Sequence, residues 1–176
     1  MPDSRNQPDQ TIAAPIRLIL SDVDGVMTDG RIIYDNSGVE TKCFHVRDGL
    51  GIKLWQRAGY HFAIITSRTS DVVRLRAAEL GIATVRQGAS DKWTAAVEVL
   101  ATLGVTPEET CYVGDDLPDL SVMRRVALPV AVGDGAEDVR QAAKWTTRLH
   151  GGHGAIREVI ERLLKAKAQW EDFITR

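Results

Sequence analysis

The sequence has little cysteine, no long apolar run and no surplus of either charge, and each shortage closes off a class of function. Two cysteines in 176 residues, Cys43 and Cys111, supply neither a disulfide framework nor the paired spacing of a zinc site. No apolar stretch approaches the ~18 residues of a membrane span. Met1 to Ala14 is polar, holds Pro2 and Pro8, and lacks the apolar core of a signal peptide. With 22 basic against 24 acidic residues, the net charge of -2 leaves no basic excess for nucleic acid or anionic lipid. His45, His61, His150 and His153 are too scattered for a metal cluster. These absences predict a soluble, cytoplasmic chain that engages small molecules rather than nucleic acid or membrane.

What is present is a regular alternation. From Ile16, short apolar runs (Ile16 to Ser21, Phe62 to Thr66, Ala83 to Arg86, Thr110 to Gly114, Leu128 to Val132) alternate with longer amphipathic stretches. That pattern predicts an α/β fold, a doubly wound, Rossmann-like parallel sheet. Helices are expected over 49–58, 70–80, 91–103, 117–124, 136–143 and 154–168. Trp93, Ala96, Val97 and Leu100 read as the core face of the third. Arg31 to Phe44 breaks the alternation, and Asp35-Asn36-Ser37-Gly38 within it predicts a β-hairpin flap. The expected layout is a disordered N-terminal tail over 1–15, one domain over 16–168 with the flap at 31–44 and no large cap, and a C-terminal tail over 169–176.

In an open parallel sheet, ligands bind beyond the carboxyl ends of the strands. Reactive groups stand there repeatedly: Asp22-Val23-Asp24-Gly25 after the first run, Thr66 after the second, Lys92 a short loop after the third, and Asp115-Asp116 after the fourth. Side chains alternate along a strand, so Asp22 and Asp24 converge only if the chain leaves the strand at Asp22, which Gly25 permits. Asp22, Asp115 and the backbone carbonyl of Asp24 form an oxygen set suited to Mg²⁺. Lys92 and the Thr66 hydroxyl would grip phosphate oxygens, together neutralising the charge that phosphoryl transfer develops.

Asp22 to Gly30, Thr66, Lys92 and Gly114 to Asp119 resemble, in order and spacing, the four motifs of the haloacid dehalogenase superfamily. The resemblance implies that Asp22 is the nucleophile that becomes an aspartyl-phosphate. It makes Asp24 the general acid and base, Asp115 the metal ligand of the last motif, and Asp116 and Asp119 a supporting shell. Phe44 to Trp55, Gln87 to Ala95, Tyr112 to Met123 and Gly151 to Val159 further resemble a capless branch, the 3-deoxy-D-manno-octulosonate 8-phosphate phosphatases of lipopolysaccharide precursor synthesis. Relatives of that branch take nine-carbon acid-sugar phosphates. The branch implies acid-sugar contacts at Asp24, His45, Val46, Arg47, Asp48, Gly49, Lys53, Arg68, Arg76 and Lys92. It also implies a homotetramer whose neighbouring flaps and C-terminal tails complete each site; the flexible Gly151 to Gly154 and the apolar Trp170, Phe173 and Ile174 are expected to serve that contact. In that branch a basic residue at the Arg68 position is expected to favour the eight-carbon ester over the nine-carbon ones. Ser67 and His45 depart from the family's usual glycine and asparagine.

Plainer readings stand beside these. Asp119 suits the positive end of the following helix without any function, Arg47 and Asp48 suit a surface ion pair, and Arg76 suits a solvated helix face. Thr106-Pro107-Glu108-Glu109 is a helix start. Two rival functions are a phospho-receiver domain, whose acceptor aspartate would end a middle strand, and a non-catalytic oligomerising domain.

Overall fold

The computed structural model describes residues 9–175, so residues 1–8 of the expected N-terminal tail lie outside the described residues. After α1 (Asp9–Ala13) comes β1 (Leu18–Ser21), then a hairpin of β2 (Ile33–Tyr34) and β3 (Glu40–Thr41). Five further strands follow: β4 (His61–Ile65), β5 (Thr84–Arg86), β6 (Thr110–Gly114), β7 (Leu128–Ala131) and β8 (Trp145–Thr146). All but the hairpin strands join one parallel sheet in the order β5-β4-β1-β6-β7-β8. This is the expected doubly wound arrangement, with the strand order reversing about β1.

Both sheet faces are covered, which is why β1, β6 and β7 contain no exposed position. Strand alternation divides the core into two layers. Ile19, Cys111 and Val113 face a layer built from α1, α2 (Val46–Arg57), α3 (Asp71–Leu80) and α7 (Ala155–Ala166). Leu18, Leu20 and Tyr112 face α4 (Lys92–Leu103), α5 (Leu120–Met123) and α6 (Glu137–Ala142). The buried face of α4 is Ala95, Ala96, Val99 and Leu100, whereas Val97 is 46% exposed. No described helix is long and apolar enough to cross a membrane.

The flap is the expected hairpin, closed by Asp35, whose carboxylate accepts from the amides of Ser37 and Val39 at 2.8 Å each. Its strands are two residues long, and Ile32, Ile33, Tyr34 and Val39 are exposed. Two such strands cannot hold themselves in place.

Both ends depart from the expected tails. Residues 9–13 form α1 rather than a disordered segment, because Ile12 and Ala13 are buried against the core beside α7. A bidentate Arg162–Asp9 pair at 2.7 and 2.8 Å ties them down. At the other end Ala168, at φ +56°, turns the chain back into α8 (Glu171–Ile174). Trp170 is then buried beneath the Arg157 guanidinium and Phe173 packs on the same core, leaving only Ile174 exposed. The two aromatic side chains expected to meet another subunit are therefore packed within their own.

Candidate active site

The site begins where β1 stops. The Asp22 amide still bonds the Val113 carbonyl at 3.1 Å, but the carbonyl of Val23 then accepts from Val26, Met27 and Thr28 at 3.1, 2.8 and 3.1 Å, which curls the chain off the sheet. Gly25 makes the curl possible: its φ is +91°, and a Cβ would lie 2.1 Å from Asp115 Oδ2. The loop after β1 and the loop after β6 thus touch at a point that only glycine can occupy.

Around that point lies a buried ionic network. Lys92 is the first residue of α4, whose start is fixed by Asp91 accepting from the amides of Trp93 and Thr94. Its ammonium sits 2.8 Å from Asp22 Oδ2 and 2.7 Å from Asp119 Oδ1. Burial works against that charge, yet the two carboxylates prevail and hold it above the usual lysine range. Asp119 is fully buried and has no acceptor to spare: Oδ1 also receives the Tyr112 hydroxyl at 2.6 Å, and Oδ2 receives the amides of Asp115 and Asp116 at 2.9 and 3.2 Å. Asp115 differs. Its Oδ1 is buried without any hydrogen-bond partner.

Burial, reinforced by the neighbouring carboxylates of Asp119 and Asp22, pushes the Asp115 carboxyl up to about 8. Burial likewise raises Asp22 to about 6 against the opposing pull of Lys92. Oxygens of Asp22, Asp115 and Asp119 lie within 4.8 Å of one another with one ammonium among them. An oxygen-only donor set, an orphaned carboxylate oxygen and an excess of negative charge together fit a divalent cation such as Mg²⁺. Asp22 and Asp115 have oxygens available for it, whereas those of Asp119 are saturated.

Asp24 stands across the cleft. Its Oδ1 is held by the ammonium of Lys42, and its Oδ2 is buried without a partner, 3.9 Å from Arg68 Nε. Arg68 also reaches Tyr34 Oη at 3.0 Å and Glu40 Oε1 at 2.9 Å, so it links the flap to the sheet. Asp22, Asp24, Thr66, Ser67, Arg68, Lys92, Asp115 and Asp119 line one cleft of about 170 Å³. Thr66 is buried there, and its hydroxyl accepts from the Arg68 amide at 3.4 Å. Lys42 escaped the sequence reading, since one lysine in a polar hairpin carries no spacing signal.

Residues 62–160 match the family model described as haloacid dehalogenase-like hydrolase. The chain belongs to that family. The 3-deoxy-D-manno-octulosonate 8-phosphate phosphatase of Yersinia pestis is 47% identical over 159 residues, 90% of this chain and 85% of the relative. Its counterpart in Escherichia coli K12 is 44% identical over 160 residues, 91% and 85% of the two chains. The crystal structure of the Moraxella catarrhalis enzyme, in complex with magnesium, phosphate and KDO, matches with a TM-score of 0.92 at 43% identity and covers 95% of this chain and 96% of that one.

Several expected site residues of this haloacid dehalogenase-like hydrolase stand outside the cleft. His45 caps α2, its ring accepting from the Arg47 amide at 3.3 Å, while Val46, Arg47 and Lys53 are exposed on that helix. Asp48 is buried, and burial raises its carboxyl. It accepts from the Arg157 amide at 2.7 Å, capping α7, whose own N-cap Gly154 has no side chain to do so. It is thus no surface partner of Arg47. Gly49 allows close packing, since a Cβ there would meet Arg76 Nη2 at 2.4 Å. Arg76 pairs with Glu79 at 2.8 Å and stacks over Phe44. Asp116, by contrast, does line the cleft, at its exposed rim, where its carboxylate caps the next turn by accepting from the Leu117 amide at 2.8 Å. Gly151 and Gly152, expected to be flexible, are pressed onto the loop after β1: a Cβ on Gly151 would lie 1.7 Å from the Gly25 carbonyl oxygen, and the Gly152 amide bonds Val26 O at 2.9 Å.

Proposed function

We propose that this enzyme hydrolyses 3-deoxy-D-manno-octulosonate 8-phosphate to the free acid sugar and phosphate, in the synthesis of lipopolysaccharide precursors. The chemistry rests on one observation: Asp22, Lys92 and an unpartnered Asp115 oxygen meet where the strand order reverses. The choice of ester rests on the relatives, which carry that enzyme's name at 44–47% identity across nearly the whole chain.

In the mechanism, an Asp22 oxygen attacks phosphorus. The bond to the sugar oxygen breaks with its electron pair, and Asp24 protonates that oxygen as it leaves. Asp24 then takes a proton from the water that attacks the aspartyl-phosphate, which restores the Asp22 carboxylate. Lys92 holds Asp22 in place and offers its charge to the phosphate, and Thr66 orients a phosphate oxygen with its hydroxyl. Asp22, Asp115 and the Asp24 carbonyl would hold Mg²⁺, which would supply further positive charge to the transferring group.

A homotetramer in which neighbouring flaps and C-terminal tails complete each site accommodates the acid-sugar contacts that α2 leaves exposed, Val46, Arg47 and Lys53. The exposed Ile32, Ile33, Tyr34 and Val39 of the flap support such a contact. The free thiols of Cys43 and Cys111 suit the cytoplasm. Phosphate release from eight- and nine-carbon acid-sugar phosphates, with Mg²⁺ or chelator, tests the reading on the wild type and Asp22→Asn. The eight-carbon ester should turn over best, and the substitution or chelator should abolish turnover. Preference for the nine-carbon ester would overturn the substrate, and metal-independent hydrolysis would overturn the mechanism.

A further inference from the structure

We infer that Lys42 is a positioning residue for Asp24, delivered by the flap: it anchors one carboxylate oxygen and leaves the other without a hydrogen-bond partner. The Lys42 side chain is 1% exposed, although it stands on a hairpin whose neighbouring apolar residues are open to solvent. A buried ammonium is unfavourable unless paired, and this one lies between Asp24 Oδ1 and Glu40 Oε1, the latter at 3.3 Å. Glu40 is itself gripped by Arg68 at 2.9 Å and Ser70 Oγ at 2.5 Å, both in the loop after β4. The flap strands are too short to fix their own position, so this cluster sets where Lys42 stands. Asp24 Oδ2, by contrast, is buried without a hydrogen-bond partner, and Arg68 Nε, which also lacks one, is 3.9 Å away, within ion-pair reach but too far to donate. That gap leaves Oδ2 as the oxygen that meets the leaving group.

The inference rests on the proposed role of Asp24 as proton donor to the leaving oxygen, and it separates from a simpler one in which Lys42 only latches the flap. A displaced proton donor slows esters whose leaving oxygen needs a proton and largely spares those whose leaving group departs as a stable anion. A loosened flap slows both alike.

The test is single-turnover release of the alcohol or phenol, which reads the first transfer alone, from the acid-sugar phosphate and from 4-nitrophenyl phosphate in the Mg²⁺-loaded enzyme. Lys42→Met should slow release from the sugar ester roughly 10- to 100-fold, within the range of general-acid contributions, and from the aryl ester less than about 5-fold. Its steady-state KM for the sugar ester should change little, and Lys42→Arg should recover most of the rate. Glu40→Gln, which keeps Lys42 but removes half of its support, should show the same discrimination more weakly. Asp24→Asn is the reference. If it fails to discriminate between the esters, the reading of Asp24 itself falls. If it discriminates while Lys42→Met and Glu40→Gln slow both esters equally or neither, Lys42 is a latch and the inference is overturned.

Discussion

Removing the divalent cation should make the stability of this protein fall steeply as pH rises. Asp115 is pushed up to about 8 by burial and then by the carboxylates of Asp119 and Asp22, from an ordinary value of 3.8. Below about pH 4 the group is protonated in both folded and unfolded chains, and no penalty exists. Between there and about pH 8 the unfolded chain ionises Asp115 while the folded chain resists, so stability drops by up to about 1.4 kcal/mol per pH unit. Across the window this amounts to about 4–6 kcal/mol for Asp115. Asp22, raised to about 6 by burial, adds its share only in the lower half, and because it shares a field with Asp115 the two overlap rather than sum. The lowered carboxyls, such as Glu40 and Glu109, change their contribution only up to about pH 5, below the two pH values compared. Urea or thermal unfolding of chelator-treated protein at pH 5.5 and 8.5 should therefore show a midpoint lower by about 10 °C at the higher pH, at roughly 2–4 °C per kcal/mol. Saturating Mg²⁺ should stabilise far more at pH 8.5 than at 5.5, and Asp115→Asn should flatten the metal-free profile. A metal-free midpoint that holds or rises across this range, or equal Mg²⁺ stabilisation at both pH values, would refute the reasoning.

Gly25→Ala should lower phosphatase activity at least about 100-fold with an unchanged far-ultraviolet spectrum, because the new methyl lands on the Asp115 carboxylate at a left-handed backbone position. Lys92→Met should be inactive and less stable by about 3–5 kcal/mol in urea, since it strips the buried Asp22 and Asp119 carboxylates of their shared counter-charge. Asp48→Ala should lower stability by about 1–2 kcal/mol through the lost cap on α7, and Asp48→Asn by less than half of that, because an amide oxygen still accepts from Arg157.

Legibility in the sequence followed the range of the forces involved. The six central helices and five of the sheet strands were readable because burial imposes local periodicity; β8 and α8 were not, because two and four residues are too few to show a period. Val97 shows a related limit: in a helix rich in small apolar residues, the buried stripe shifts by one position without disturbing the pattern. The acidic site was readable because Asp22 and Asp115 directly follow strands β1 and β6. The contact of Lys42 with Asp24 and the capping of α7 by Asp48 were not readable, since the first comes from a hairpin 18 residues beyond Asp24 and the second reaches a helix 109 residues away. Such pairings are decided by tertiary packing.

The backbone contact of Gly151 and Gly152 with the loop of Gly25 and Thr28 makes a distant stretch of chain the mould in which the loop of Asp22 and Asp24 is cast. Loss-of-function substitutions should therefore cluster around this glycine pair as densely as around the acidic residues, although neither glycine carries a reactive group. An insertion there, in what reads as an ordinary connector, would silence the enzyme without altering any atom that meets the substrate.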